Sequence, residues 1–210
     1  LIISIFSFIG ILLHTNDGFK SRANFTEELT DSFSRPESGE CYGIPFNHSA
    51  DKWGCILGRQ DGDIDFILFG DSHSLSLKAL IAQEAENQRL KVFYTGAGGC
   101  IPLLGVYPQR KDQIKNNCKL LNERVLQLGK DSNVKGIILS ARWSYYTLGD
   151  YDYNGAQFIS DKPSGPFDLS HSLDTFSTAF GATVKQYKLI DIPIHLITQP
   201  PHQKYSPEAI

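Results

Sequence analysis

Methionine is absent from this 210-residue sequence, even at position 1, so we expect it to be a segment of a longer product. Cationic residues are not in excess, since 20 lysines and arginines stand against 23 aspartates and glutamates, for a net charge of −3. No basic patch stands out, so nucleic acid is not expected as a partner. The six histidines lack ligand spacing and no Cys-x-x-Cys motif occurs, so no metal site is expected.

The sequence also lacks an apolar run of the roughly 20 residues that a membrane-spanning helix needs. Residues 1–13 are apolar or small throughout, and we expect them to be the end of a transmembrane helix. A signal-peptide core and a buried helix are the alternatives, but no basic segment precedes the run and no cleavage site follows it. Residues 14–40 are polar without a sustained period and are predicted to be a linker.

Cysteine is scarce, and the four residues present fall into two local pairs by spacing, Cys41 with Cys55 and Cys100 with Cys118. Cys118 lies on the apolar face of a predicted helix, so a buried free thiol is the alternative for that residue. An even count beside a predicted membrane exit favours disulfides in an oxidising compartment.

The remaining chain, residues 41–210, shows strand and helix patterns in alternation. Apolar runs predict four strands, at residues 66–69, 91–95, 136–140 and 193–198. Helical spacing predicts three helices, over residues 75–87, about 114–128 and about 173–187. Residues 41–58 are predicted to be a cysteine-bounded loop and residues 144–170 a long loop. This alternation predicts an α/β fold with a mostly parallel sheet and helices on both faces.

In such a sheet, functional sites open at the carboxyl ends of the strands. The predicted strand ends place four segments on this edge, namely residues 70–74, 96–102, 140–170 and 199–210. Candidate functional residues are therefore sought in these segments.

The first of these segments contains the most informative motif in the chain. The apolar run that ends at Phe69 stops at Gly70-Asp71-Ser72-His73, and a helical pattern follows, which predicts a buried strand, a tight turn and a helix. Ser72 would then lie beside free backbone N–H groups and the positive end of the helix dipole. An oxyanion formed after nucleophilic attack by Ser72 would meet fixed donors there. The alternative is that Asp71 or Ser72 only caps the helix.

A strand that runs into Gly70-Asp71-Ser72-His73 resembles the first block of the SGNH/GDSL hydrolase superfamily, in which this serine is the catalytic nucleophile. Most of the chain resembles the extracytoplasmic SGNH domain that is fused to family 3 membrane acyltransferases. That family O-acylates, typically O-acetylates, cell-envelope polysaccharides. The resemblance implies a three-layer, flavodoxin-like sheet (the SGNH fold) and a chemistry without cofactors. It also implies that the cysteines lie in the periplasm or outside the cell.

The second block of the superfamily supplies an oxyanion-hole glycine, and Gly98 and Gly99 stand at the corresponding place after the second predicted strand. A glycine brings a bare N–H close to a substrate, which suits this role. A plain glycine turn is the alternative.

The third block usually carries an asparagine, but here the third strand runs into Ala141-Arg142-Trp143. Ala-Arg-Trp is familiar in the acyltransferase-fused branch, which implies that Arg142 donates to the oxyanion or holds a glycan hydroxyl or carboxylate. Trp143, Tyr145 and Tyr146 offer faces for stacking against sugars, with packing at the edge of the sheet as the alternative.

The resemblance also implies an Asp-x-x-His motif, the orienting acid and the general base, after the last strand. The one literal match is Asp168-Leu-Ser-His171, which precedes a helix, so an N-cap at Asp168 or Ser170 is the simpler interpretation. We expect the histidine of the family to follow Pro200-Pro201 beyond Ile210, and the domain to be truncated at its C-terminus.

Three functions are compatible with these patterns. The first is an O-acyltransferase domain, anchored to the membrane, that passes an acyl group from an upstream membrane domain through Ser72 to a polysaccharide. The second is a secreted or periplasmic SGNH serine esterase that passes the acyl group to water. The third is a non-catalytic glycan-binding domain.

Overall fold

The computed structural model describes residues 41–43, 53–148 and 157–199. All of them belong to the second of two units into which the chain divides, residues 38–210. The expected transmembrane remnant (residues 1–13) and linker (14–40) lie outside the described residues. Within the described ranges, no helix combines the length and the apolar character that crossing a membrane requires.

The order of elements in the described chain is that of an α/β domain. The elements are β1 (Cys55–Gly58), β2 (Phe66–Gly70), α1 (Ser72–Asn87), β3 (Lys91–Gly96), β4 (Tyr107–Pro108), α2 (Asp112–Asp131), β5 (Gly136–Ser140), a 3-10 helix (Trp143–Tyr146), β6 (Ile159–Ser160), α3 (Leu169–Leu189) and β7 (Ile194–Ile197). The four predicted strands agree with β2, β3, β5 and β7 to within one residue at each end. Helix α1 begins at Ser72, three residues before the predicted start at Leu75.

The central sheet has five strands in the order β1-β3-β2-β5-β7. Strand β1 pairs with β3 in antiparallel orientation, and the other pairs are parallel. The four parallel strands follow the order of flavodoxin-like sheets, in which the second strand lies outside the first and the later strands extend the opposite side. The predicted mostly parallel α/β fold is confirmed.

Alternate residues of β2 pack into two separate cores. Ile67 and Phe69 are buried in a cluster with residues of α2 and with Tyr187 of α3. Leu68, between them, is buried in a second cluster with Leu75 and other residues of α1. The helices therefore cover both faces of the sheet, which gives three layers.

Two features were not predicted from the sequence. Residues 55–58, predicted to be loop, form β1, whose Cys55 is paired in register with Tyr94 of β3. Strands β4 and β6 form a separate two-stranded sheet, in which Ile159 and Ser160 lie within the predicted long loop. These strands are two to four residues long, too short to show an alternating pattern in the sequence.

Both predicted disulfides are present. Cys41 is bonded to Cys55, with their Cα atoms 5.1 Å apart, and Cys100 to Cys118, with their Cα atoms 5.2 Å apart. The alternative of a buried free thiol at Cys118 is therefore wrong.

Candidate active site

Ser72 is the first residue of α1, and it is exposed at the carboxyl edge of the sheet. The residue before it, Asp71, is the N-cap, because its Oδ1 accepts a hydrogen bond from the backbone N–H of His73 at 2.8 Å. The capping role that the sequence left open thus falls to Asp71. The Ser72 hydroxyl is not needed as a cap. It lies at the first turn of the helix, where backbone N–H groups have no partner within the helix.

The second carboxylate oxygen of Asp71 connects β2 to the loop after β5. Asp71 Oδ2 accepts from the backbone N–H of Arg142 at 3.0 Å and from the hydroxyl of Tyr146 at 2.8 Å. Asp71 is only 2% exposed, so its charge is balanced by these three donors and not by water. Strands β2 and β5 are the neighbours between which the strand order reverses, and ligands of such sheets bind at this point.

Glycines at the ends of β2 and β3 let the strand ends approach each other beneath Ser72. A Cβ on Gly70 would lie 1.7 Å from the carbonyl oxygen of Ser140, and one on Gly96 would lie 2.4 Å from the carbonyl oxygen of Gly70. Ser74 is fully buried against this junction, and its hydroxyl donates to the carbonyl oxygen of Asp71 at 2.7 Å. The backbone that carries Ser72 is therefore held from the helix and from both neighbouring strands.

The two candidate oxyanion glycines occupy one turn after β3, but their environments differ. The N–H of Cys100 donates to the carbonyl of Ala97 at 3.0 Å, and Gly99 has a φ of +71°, which matches a type II turn. Gly98 is exposed, whereas a Cβ on Gly99 would lie 2.7 Å from Gln157 Oε1. Within the described ranges, neither glycine N–H donates to a backbone carbonyl. The Cys100–Cys118 disulfide anchors this turn to α2.

Arg142 brings a cation to the same edge. Its guanidinium lies over the ring of Tyr145, 4.8 Å from the ring centroid, and forms no ion pair with a carboxylate in the part of the chain that the structure describes. Its backbone N–H is fixed by Asp71. The side chain is thus carried by a rigid backbone and remains partly exposed.

The aromatic residues after β5 mostly pack against the domain. Tyr146 has no exposed surface, so packing is the interpretation that applies to this residue. Trp143 donates from its ring nitrogen to the carbonyl oxygen of Ile197 at 2.8 Å and packs edge-on against Phe176. Trp143 and Phe176 nonetheless line an open groove of about 410 Å³ next to the end of β7.

Asp168 and His171 form the N-terminal cap of α3. Asp168 Oδ1 accepts from the backbone N–H of His171 at 2.9 Å, as expected for an N-cap of α3. The His171 ring contacts the Ser160 hydroxyl at 3.2 Å and Asp161 Oδ1 at 3.1 Å, both through the same nitrogen, Nε2. A catalytic histidine binds its acid and its nucleophile through opposite nitrogens, so this arrangement does not form a proton relay.

Tyr42 is a residue of this site that sequence reasoning overlooked. It forms a parallel bridge with Gly96, and its hydroxyl is buried without a hydrogen-bond partner in the described part of the chain. The hydroxyl of Tyr94, a fully buried residue of β3, is likewise buried and without a partner. The one signal in the sequence was the position of Tyr42 directly after Cys41, which the disulfide ties to β1.

The tyrosines around Asp71 are held in their protonated form. Burial, and then the negative charge of Asp71, raise the pKa of Tyr146 well above its usual value. Burial and Asp71 also raise the pKa of Tyr42, while the Ser72 side chain, which lies nearby without the geometry of a hydrogen bond, opposes the shift. Both hydroxyls therefore remain potential hydrogen-bond donors at any physiological pH. No cluster of three or more metal-ligating side chains occurs within the described ranges.

Together, these features define an α/β domain of flavodoxin-like strand order with an exposed serine on the first turn of the helix after its first parallel strand. A family model, the SGNH domain (fused to AT3 domains), matches residues 40–210. The chain belongs to this family, and the resemblance seen in the sequence is confirmed.

Among solved structures, the chain is similar to the periplasmic domain of a lipopolysaccharide acetyltransferase from Salmonella ser. Paratyphi A, with 15% sequence identity and a TM-score of 0.48. The match covers 75% of this chain and 51% of that one, so the chain spans about half the length of the Salmonella structure. No curated protein sequence matches the chain.

Proposed function

We propose that this domain transfers an acyl group, most simply acetyl, through Ser72 to a hydroxyl of a cell-envelope polysaccharide. The observation that carries the proposal is that Asp71, and not Ser72, is the N-cap of α1. Asp71 caps α1 and ties the loop after β5, and the exposed hydroxyl of Ser72 is left at the helix terminus beside the glycine turn. A serine that served only structure would be expected to make the cap itself.

In the first half-reaction, Ser72 Oγ forms a bond to the carbonyl carbon of the acyl donor and gives its proton to a general base. The π electrons of the carbonyl move to its oxygen, and the resulting oxyanion accepts hydrogen bonds from the Gly98 N–H and from Arg142. Collapse of this intermediate re-forms the carbonyl, breaks the bond to the leaving group and leaves an acyl-serine, and the leaving group takes the proton from the base.

In the second half-reaction, a glycan hydroxyl gives its proton to the base while its oxygen attacks the carbonyl carbon of the acyl-serine, and a second oxyanion forms at the same donors. Collapse of this intermediate breaks the bond to Ser72 Oγ, which takes the proton back from the base and leaves the acyl group on the glycan. Because the His171 ring is engaged with Ser160 and Asp161, we assign the base to residues outside the described ranges. Proton removal is needed since a serine hydroxyl is a weak nucleophile at its ordinary pKa.

The cellular setting is part of the proposal. The family is defined by fusion to membrane acyltransferase domains, which supports a donor supplied from the membrane and a domain anchored there. On this proposal, residues 1–13 end a transmembrane helix and residues 14–40 link it to the domain. The two disulfides support a location on the periplasmic or extracytoplasmic side.

The test uses the full-length protein with a serine-directed fluorophosphonate and with labelled acetyl transfer to polysaccharide. We expect labelling at Ser72, and we expect Ser72→Ala to abolish both labelling and transfer. Ser76→Ala is the matched control, because Ser76 is an exposed serine one turn further along α1, and it should retain full activity. Labelling at another serine, or full transfer by Ser72→Ala, would refute the proposal.

Two other functions are separated by the same assay. A secreted or periplasmic esterase would use Ser72 but release acetate to water without labelling the polysaccharide. A glycan-binding domain would bind sugar equally well with Ser72→Ala and would not react with the fluorophosphonate. The open groove beside Trp143 and Phe176 is the surface on which such binding would be sought.

A further inference from the structure

Tyr42 is held beside the candidate active site by three separate connections. Cys41, the residue before it, is bonded to Cys55 of β1. Tyr42 itself forms a parallel bridge with Gly96, and the N–H of Gly43 donates to the carbonyl of Gly96 at 3.0 Å. Its side chain packs against the core on the α1 side of the sheet. The position of the ring is therefore set by backbone, disulfide and packing together.

The hydroxyl of Tyr42 reaches the space between the glycine turn and Ser72. A Cβ on Gly98 would lie 3.4 Å from this hydroxyl. Burial and the negative charge of Asp71 raise its pKa and the nearby Ser72 side chain lowers it, so the hydroxyl also lies near the start of α1. The approach of Ser72 does not have the geometry of a hydrogen bond, which leaves the Tyr42 hydroxyl without a partner among the described residues. Two sides of the Tyr42 hydroxyl thus face the residues that carry the proposed chemistry.

A buried hydroxyl without a partner needs a physical reason, because an unpaired buried donor loses its hydrogen bonds to water without gaining a replacement. The nearest anion, Asp71, already accepts three hydrogen bonds, from His73, Arg142 and Tyr146. An acceptor supplied by a ligand at Ser72 would satisfy the Tyr42 hydroxyl. The developing oxyanion of an acyl group on Ser72 is such an acceptor.

We propose that the Tyr42 hydroxyl is a further hydrogen-bond donor to the oxyanion that forms when Ser72 attacks the acyl carbonyl. This inference rests on the proposed function of Ser72. When Ser72 Oγ bonds to the carbonyl carbon, the π electron pair moves to the carbonyl oxygen, which then accepts from Tyr42 and from the N–H of Gly98. Tyr42 keeps its proton throughout, and the proton of Ser72 goes to the general base.

The test compares three variants of the full-length protein in the hydrolysis of 4-nitrophenyl acetate and in labelling by a fluorophosphonate. Tyr42→Phe removes only the hydroxyl, and we expect kcat to fall about 100-fold with KM within about threefold, as for loss of one oxyanion donor. Labelling of Ser72 by the fluorophosphonate should slow by a similar factor in Tyr42→Phe. The midpoint of thermal unfolding should stay close to that of the wild type. Tyr94→Phe is the matched control, because it removes another buried, unpartnered hydroxyl, and its kcat should stay within about threefold.

The third variant, Ser72→Ala, separates failure of this inference from failure of the proposed function. If Ser72→Ala is inactive but Tyr42→Phe matches the wild type, the inference about Tyr42 is wrong and the function of Ser72 stands. If Ser72→Ala is active, the proposed function itself fails, and the inference with it. An equal loss in Tyr42→Phe and Tyr94→Phe would assign both hydroxyls to packing and overturn the inference.

A structural measurement on the wild type does not depend on any variant folding. In the phosphonate adduct of Ser72, the Tyr42 hydroxyl should lie at hydrogen-bonding distance from the phosphoryl oxygen that mimics the oxyanion. A crystal structure of the adduct in which a water molecule, and not the phosphoryl oxygen, pairs with Tyr42 would overturn the inference.

Discussion

The carboxylate of Asp71 and the backbone nitrogen of Arg142 lie 3.0 Å apart, and the hydrogen bond between them joins the ends of two adjacent parallel strands, β2 and β5. The other oxygen of the same carboxylate caps α1 through the N–H of His73. One buried side chain therefore fixes both the start of the helix that carries Ser72 and the loop that carries Arg142.

Replacing Asp71 by asparagine should separate these two functions. The amide oxygen can still cap α1, but the amide nitrogen would then face the N–H of Arg142 and the hydroxyl of Tyr146, with no acceptor between them. We expect Asp71→Asn to lower the free energy of unfolding by about 2 kcal/mol, since hydrogen bonds to a charged group contribute about 1.5–3 kcal/mol. Urea denaturation measures this, and fluorophosphonate labelling of Ser72 should slow.

The matched control is the same substitution at the cap of another helix. Asp168 is exposed and caps α3 through the N–H of His171 at 2.9 Å. Asparagine is as good an N-cap as aspartate, so Asp168→Asn should change stability by less than about 0.5 kcal/mol. Equal destabilisation by the two substitutions would contradict the role assigned to Asp71.

Substitution of His171 tests whether it acts as the base. Because its Nε2 is bonded to Ser160 and Asp161, we expect His171→Ala to retain the Ser72-dependent ester hydrolysis of the wild type within about twofold. If the general base lies beyond Ile210, as the resemblance implies, the 210-residue chain alone should be nearly inactive beside a C-terminally extended form, since a triad that loses a member loses several orders of magnitude in rate. If the fragment equals the extended form and loses activity on His171→Ala, then Asp168 and His171 are the catalytic pair.

The two glycines of the turn after β3 should respond differently to alanine. Gly99 has a φ of +71°, and an added Cβ would lie 2.7 Å from Gln157 Oε1, so Gly99→Ala should cost about 1–2 kcal/mol from the backbone alone and disturb Gln157 as well. A Cβ on Gly98 meets only the Tyr42 hydroxyl, at 3.4 Å, so Gly98→Ala should fold with nearly unchanged stability. Thermal unfolding of the two variants measures this difference. A larger loss of stability in Gly98→Ala than in Gly99→Ala would contradict the turn geometry.

Asp65, at the opposite end of β2, should make stability depend on acid pH. Its carboxylate accepts from Lys135 Nζ at 2.8 Å and from the backbone N–H of Lys91 at 2.8 Å. The hydrogen bond from Lys135, then that from Lys91, lower the pKa of Asp65 to about 2, against the opposing effect of burial. A carboxyl group whose pKa is lower in the folded than in the unfolded protein stabilises fully above about pH 4, and this contribution is lost as the pH falls towards 2.

Asp65→Asn should therefore reduce the free energy of unfolding by roughly 1–2 kcal/mol at neutral pH, because the exposed ammonium of Lys135 is partly screened by solvent. The difference from the wild type should shrink between about pH 4 and pH 2. Asp61→Asn is the control, because that carboxylate is 88% exposed and its contact with Arg59 is long, at 3.8 Å. We expect this substitution to have little effect on the free energy of unfolding. A difference for Asp65→Asn that stays constant down to pH 2 would contradict the assignment.

Mass mapping of the unreduced protein should find Cys41 bonded to Cys55 and Cys100 to Cys118. Replacing either pair by serines should cost about 3 kcal/mol by the chain-entropy model, for loops of 14 and 18 residues. The Cys41/Cys55 double variant should also label more slowly at Ser72 than its loss of stability explains, because Tyr42 is released. Crossed pairing or four free thiols would contradict this assignment.

The parallel strands and the position of Ser72 at a strand-to-helix turn were predictable because their signals are local. Buried parallel strands appear in a sequence as short apolar runs, and the run that ends at Phe69 stops at a glycine where the chain must turn. The helix start was misplaced by three residues because the cap, Asp71, and the first turn carry no apolar period.

The partners of Asp71 could not be predicted, since Arg142 and Tyr146 lie 71 and 75 residues further along the chain. Tyr42 was overlooked for the same reason, because only the disulfide and the bridge to Gly96 bring it to the site. At Asp168 and His171 the sequence left two interpretations, because an Asp-x-x-His catalytic motif and an aspartate N-cap share one local pattern. The ring contacts of His171 are what favour the cap.

Each disulfide lies within two residues of a donor of the proposed oxyanion site, since Cys41 directly precedes Tyr42 and Cys100 follows Gly98 by two residues. In the reduced chain, the Tyr42 segment and the glycine turn lack these two covalent anchors. On the proposed function, we expect Ser72 to react slowly until the cysteines are oxidised, because the Tyr42 and Gly98 donors are not yet held in place. If the domain lies on the extracytoplasmic side, as proposed, oxidation of the cysteines would set the point at which acyl transfer begins.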